Sequence, residues 1–181
     1  VRSVMLVHRP FADAGKTTSQ GARVLRSNVV NGTGGITGKG ITVGLISDSF
    51  NTSGNPIDAA ADVKSGDLPK TTAIPGGEGL KFLIERDPTV FGPGTDEGRG
   101  MSQIVHDVAP GADLCFATAE GGQVVFANNI RSLRTEPACN ADVIVDDVIY
   151  PEEPMFSDGV VAQAVDEVVT VDRDRAADRA G

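Results

Sequence analysis

Glu97 is the first residue of this chain whose place suggests chemistry. It lies in the stretch Asp96 to Ala112, DEGRGMSQIVHDVAPGA. Met101, Ile104, Val105 and Val108 recur there at helical spacing and form one apolar face. At roughly 100° per residue, Met101, Ile104 and Val108 fall within roughly 40° of Glu97, which therefore heads the buried stripe. A carboxylate there is costly unless it has a partner or a task, and burial raises a carboxyl pKa toward the range of a general acid/base. The plain alternative is a first-turn acid that favours the positive end of the helix dipole. Two more acidic points close apolar runs: ITVGLIS, 41–47, ends in Asp48, and ADVIVDD, 141–147, ends in Asp146 and Asp147. Open α/β sheets place their sites at the carboxyl ends of such strands. The ordinary alternative is an Asp in a strand-to-loop turn.

Other reactive side chains fit known chemistry less well. His106 lies nine residues after Glu97, roughly 180° round the helix, so it faces away from any site there. A last-turn His interacting with the C-terminal dipole is the stronger reading. Ser102 and Ser157 stand in no nucleophile context. Cys115 and Cys139 lack metal-ligand spacing. Two buried thiols is the preferred reading and a disulfide the alternative, since parallel-strand geometry often fails the distance limit. Asp58, Asp62 and Asp67 are candidate calcium ligands without EF-hand spacing, and they read better as solvated carboxylates. NGTGGITGKG, 31–40, misses the phosphate-loop spacing at Thr33 and Gly40 and precedes a strand, so it reads as a turn.

These residues need a frame. The runs 41–47, 113–117 and 142–147 have the length and continuous apolarity of buried parallel strands, and 80–84 is a further candidate. Helices are expected over 97–108, 122–134 and 158–169, with short ones over 22–28 and 57–64. The expected buried sets are Val124, Val125, Ile130 and Leu133 in the second of these, and Val161, Ala164, Val165 and Val168 in the third. Gly98 and Gly100 leave room for close backbone approach beside Glu97. Strand–helix alternation predicts an α/β fold with a parallel sheet and helices on both faces.

The 181 residues suffice for one core-bearing domain. Hydrophobic residues make up 40% and charged residues 23%, which favours a globular chain. A net charge of -9 argues against nucleic acid and against an anionic membrane surface as partner.

A surface loop, a helix with a functional residue in its first turn, then APGA and an apolar strand is similar to the layout of the subtilisin-like serine peptidases. Their catalytic histidine opens this helix in an HGT motif, where this chain has Glu97-Gly98-Arg99. The related sedolisins carry a glutamate there, as far before an APGA as Glu97 stands before Ala109. Their aspartate one turn later is Met101 here. The chain thus resembles a glutamate-bearing branch of the subtilase–sedolisin superfamily. The resemblance implies an incomplete three-layer doubly wound parallel sheet. It divides the chain into an N-terminal arm, 1–31, a partial peptidase domain, 32–169, and a charged tail, 170–181. In the family the first core strand ends in the catalytic Asp, usually as DSG or DTG. This chain has SDSF, and a strict overlay puts Ser47 at that position, one residue before Asp48, to which the role is carried. The resemblance further implies that Asp147, Val148 and Ile149 line a substrate cleft. The AGN and GTS motifs, which supply the oxyanion donor and the nucleophile, do not occur in the sequence.

The expectation is a fragment of a secreted serine endopeptidase that acts on polypeptides and is inactive alone. Its site is Asp48 and Glu97. It requires no cofactor, is compatible with calcium, and belongs outside the cell or in the cell envelope. The rival is a non-catalytic α/β binding module, favoured by Met101 and by the SDSF departure.

Overall fold

A computed structural model describes residues 21–70 and 79–180. Most of the N-terminal arm and residues 71–78 lie outside them. Four strands form one all-parallel sheet: β1, Thr42–Ser47; β2, Phe82–Ile84; β3, Asp113–Thr118; and β4, Val143–Asp146. Their spatial order is β2-β3-β1-β4. The helices are α1, Gly21–Val24; α2, Ser27–Gly34; α3, Ala59–Ser65; α4, Pro88–Phe91; α5, Glu97–Val108; α6, Gln123–Thr135; and α7, Val160–Ala180. The fold is α/β, as the alternation predicts. Among the described residues no helix is long and apolar enough to cross a membrane.

The period of two along the central strands divides the core into two halves. Val43 and Leu45 of β1 with Leu114 and Phe116 of β3 face one side, where Ala59, Met101 and Val105 pack on them. Ile46, Cys115 and Ala117 face the other, under Phe126, Ala127, Ile130, Leu133 and Ala164. Helices α3 and α5 thus cover one face of the sheet, and α6 and α7 the other.

Gly98 allows the closest of these contacts. A Cβ built there would lie 2.1 Å from Phe116 Cε2, so α5 rests its first turn directly on the β3 ring. The space expected at Gly100 is not used, since nothing lies within 4 Å of a Cβ there.

Several expectations are corrected. The Gly-rich loop begins as helix, because α2 runs through Gly34. Helix α7 continues through Ala180, so the charged block after 169 extends a helix. The contact faces of two helices are rotated from those expected. Ile104 is exposed while Ser102 is fully buried, its hydroxyl returned to the Gly98 carbonyl at 2.8 Å. In α6, Val124 and Val125 are exposed and Phe126 and Ala127 are buried. Val165 of α7 is exposed as well, although Val161, Ala164 and Val168 do pack on the core. Cys115 and Cys139 are joined in a disulfide with Cα atoms 6.0 Å apart. Cys139 lies in the turn between α6 and β4, and so avoids the strand-to-strand geometry that made a bond look unfavourable. Asp62 is not solvated but buried, 2.9 Å from Arg99.

Candidate functional site

The carboxyl ends of β1, β3 and β4 meet the N-terminus of α5. The register aligns Ile46 with Asp146 and Ser47 with Thr118. Ser47 and Asp147, the next residues of β1 and β4 after the Ile46–Asp146 pair, thus leave the two strands side by side. Glu97 comes to the same point from above, as the first residue of α5.

Glu97 is buried, only 9% exposed. Its Oε2 accepts a hydrogen bond from Ser47 Oγ at 3.2 Å. Its Oε1 is buried without a partner, and so is Oδ1 of Asp147. Asp147 is the acid that acts most strongly on Glu97. Two ionised carboxylates have no donor to offer each other, so a hydrogen bond between them would need one shared proton. Burial first, then the contact and charge of Asp147, push the Glu97 carboxyl up to about 7; Ser47 opposes this and Asp48 adds to it.

Asp48 is also buried, and it meets α5 differently. Its Oδ1 accepts from the Glu97 amide at 3.2 Å and its Oδ2 from the Thr95 amide. It therefore caps the positive end of α5, where Asp96, the residue at the N-cap position, makes no side-chain cap bond. Ser47 and Asp48 both reach α5, because the chain turns as it leaves β1. Ser47 reaches the Glu97 carboxyl itself, whereas the Asp48 carboxylate reaches only the amides of Thr95 and Glu97.

Asp96 has another duty. It sits in the left-handed region at φ 60, and its carboxylate faces away from the helix start. It accepts from Ser49 Oγ at 3.1 Å, the Thr52 amide at 2.7 Å and the Ser53 amide at 3.0 Å, and also from Ser53 Oγ. Arg99 joins it at 3.0 Å and reaches Asp62 at 2.9 Å. Burial alone would raise the Asp96 pKa, but these donors and the Arg99 charge outweigh it and hold the carboxyl below its ordinary range. Arg99 is therefore committed to Asp62 and Asp96 and makes no ion pair with Glu97. Adjacent acids are thus driven apart: Asp96 is kept charged, and Glu97 is kept ready to hold a proton.

A second buried ion pair braces the rim. Arg86 pairs with Glu120, just past the end of β3, and donates to the carbonyls of Phe91 and Gly92.

Of the residues singled out in the sequence, Asp48, Glu97 and Asp147 converge at this point. Val148 and Ile149 continue from it into the β4–α7 loop, with Ile149 exposed and Val148 packed on the core. His106 lies at the far end of α5, its Nδ1 buried without a hydrogen bond. Burial pulls its pKa down against the pull of Asp107 and Asp67, which corrects the expectation of a cation at the helix dipole. Asp58 caps α3 through the Ala61 amide at 2.9 Å, and Asp67 accepts from Ser65 Oγ at 2.6 Å. Among the described residues no group of three or more His, Cys, Asp or Glu is arranged to hold a metal ion. Two contacts were not read from the sequence: Ser47 as the hydroxyl on Glu97, and Asp147 as its acidic partner. Both depend on the register between β1 and β4, for which the sequence carries no signal. No family model matches the chain, and no curated protein matches it.

Proposed function

We propose that this chain carries the acid/base half of a serine endopeptidase site of the subtilase–sedolisin type. A serine from outside this sequence would attack the peptide carbonyl carbon. The C–O bond forms as the hydroxyl proton passes to Glu97. Glu97 returns that proton to the amide nitrogen as the C–N bond breaks, and a water then releases the acyl group by the same route in reverse. Asp48 holds Glu97 in place through the Thr95 and Glu97 amides. Burial and the neighbouring Asp147 carboxyl hold the Glu97 pKa high enough for it to take up and return a proton near neutrality. Asp147, Val148 and Ile149 border the cleft for a polypeptide substrate.

The observation that carries this reading is Glu97: buried, with one oxygen unpartnered, and with its pKa pushed to about 7. Burial also raises the Glu85 and Asp146 carboxyls, while the donors on Asp96 lower it, and Glu97 alone among these acids heads the helix with an unpartnered buried oxygen. The buried Cys115–Cys139 disulfide supports an oxidising compartment, outside the cell or in its envelope. The second reading, a non-catalytic binding module, draws support from Met101, which puts an apolar side chain where sedolisins carry an acid.

The test is the reading frame beyond codon 181. The longer product is assayed for casein cleavage with Glu97 intact and as Glu97→Gln. A downstream AGN and GTS segment, and a loss on the order of a thousandfold in the variant, support the peptidase. An active longer protein indifferent to Glu97→Gln refutes the role given to Glu97. A protein that ends without either motif favours the binding module.

A further inference from the structure

The loop from β4 to α7 leaves the Glu97–Asp147 point carrying three large apolar side chains in water. Ile149 is 64% exposed, Met155 89% and Phe156 98%. Single exposed apolar residues are ordinary on protein surfaces, but three on one short loop are not.

The loop is braced at both ends. Tyr150 is buried, packs edge-on against Phe126 at 5.4 Å, and donates its hydroxyl to the Ala119 carbonyl. The Glu153 amide closes a turn on the Tyr150 carbonyl at 3.0 Å. Glu153 Oε1 accepts from the Val161 and Ala162 amides at 3.2 and 3.4 Å and so fixes the loop to the start of α7. Gly159 makes room for this, since a Cβ there would lie 2.1 Å from Glu153 Oε1. Met155 and Phe156 therefore project from a base that is already ordered, and a partner need not supply the entropy of ordering it.

Charge says what kind of partner fits. Between Arg134 and Arg173 the sequence has no Lys or Arg, while Glu152 and Asp158 bracket the two apolar side chains and Asp146 and Asp147 precede them; the Glu153 carboxylate is spent on the start of α7. A second copy of a chain with net charge -9 would bring like charge to this loop.

We propose that the β4–α7 loop is a docking lip for a basic polypeptide segment, with a bulky apolar side chain seated on Ile149, Met155 and Phe156 and flanking cations facing the acids. As a substrate preference this rests on the peptidase reading; as a binding surface it does not.

Binding can be measured on the present chain without turnover. The probes are three dye-labelled octapeptides framed by Gly-Ser, with the centres Arg-Leu-Arg-Phe, Glu-Leu-Glu-Phe and Arg-Gly-Arg-Gly, read by fluorescence anisotropy at low salt. The basic apolar peptide is expected to bind at least about tenfold tighter than either twin, since each of the apolar and charge contributions is worth that much. Phe156→Ser and Met155→Ser should each weaken it several-fold and leave the melting curve unchanged, because both side chains are already in water. Gly159→Ala should weaken it too, with both apolar residues still present, by displacing Glu153. Equal binding of the acidic twin, or indifference to Phe156→Ser, overturns the proposal. So does a dimer in sedimentation that Phe156→Ser dissolves, because the occupant is then a second copy. Failure of Glu97 to titrate near neutrality would sink the peptidase reading and leave these binding results untouched.

Discussion

Asp147 meets Glu97 at the rim of the sheet, one acid leaving β4 and the other opening α5, each with a buried oxygen that has no partner. Asp48, on the neighbouring strand, contributes less to the state of Glu97 than Asp147 does. Its carboxylate is spent on the Thr95 and Glu97 amides. The acid that weighs most on Glu97 is thus Asp147, and Asp48 is the group that fixes the start of α5.

The raised Glu97 pKa has a consequence for stability. In the unfolded chain Glu97 titrates near 4.5, and in the folded protein near 7. The folded state binds this proton more tightly, so the contribution of Glu97 is fully present below pH 4.5 and is lost as pH rises to 7. The loss is on the order of 3 kcal/mol. Urea midpoints at the two ends of that window should show it in the wild type, and Glu97→Gln should remove that part of the slope.

Arg99 compensates two buried acids at once. Arg99→Met should leave Asp62 and Asp96 unpaired and cost about 3–5 kcal/mol in urea denaturation. Adding Asp62→Asn to Arg99→Met should recover part of that loss. A cost below about 1 kcal/mol would mean that water reaches these acids.

Gly98→Ala places a methyl against the Phe116 ring, where the gap is 2.1 Å. A loss of about 1–3 kcal/mol is expected from overpacking. Phe116→Leu on its own leaves a void, yet the double variant should be more stable than the sum of the two singles predicts. Strict additivity would contradict the contact.

The Cys115–Cys139 bond closes a loop with a sequence separation of 24. Cys115→Ala with Cys139→Ala should lower stability by about 2–4 kcal/mol. Intact-mass measurement after alkylation, with and without reductant, should show two cysteines blocked only when reduced.

Much of this frame was legible in the sequence. The runs at 41–47, 113–117 and 142–147 and the helix at 97–108 could be read because a buried parallel strand is apolar throughout and a helix repeats near 3.6. The faces of the helices were less legible. Ile104, Val124 and Val125 are as apolar as the residues that are buried, and only the position of the sheet decides which of them pack. The burial of Glu97 followed from spacing, but its partner did not. Asp147 reaches it through the register between β1 and β4, which is a tertiary fact. The network on Asp96 was hidden for the same reason: its donors, Ser49, Thr52 and Ser53, lie more than forty residues earlier in the chain.

The most direct test is the side-chain carboxyl titration of Glu97 by 13C NMR, in the wild type and in Asp147→Asn. The wild-type midpoint should fall near 7, and Asp147→Asn should lower it by about one unit or more, further than Asp48→Asn does. A wild-type midpoint near 4.5, or a midpoint near 7 that Asp147→Asn leaves in place, would contradict the hold of burial and Asp147 on Glu97 on which its proposed acid/base role depends.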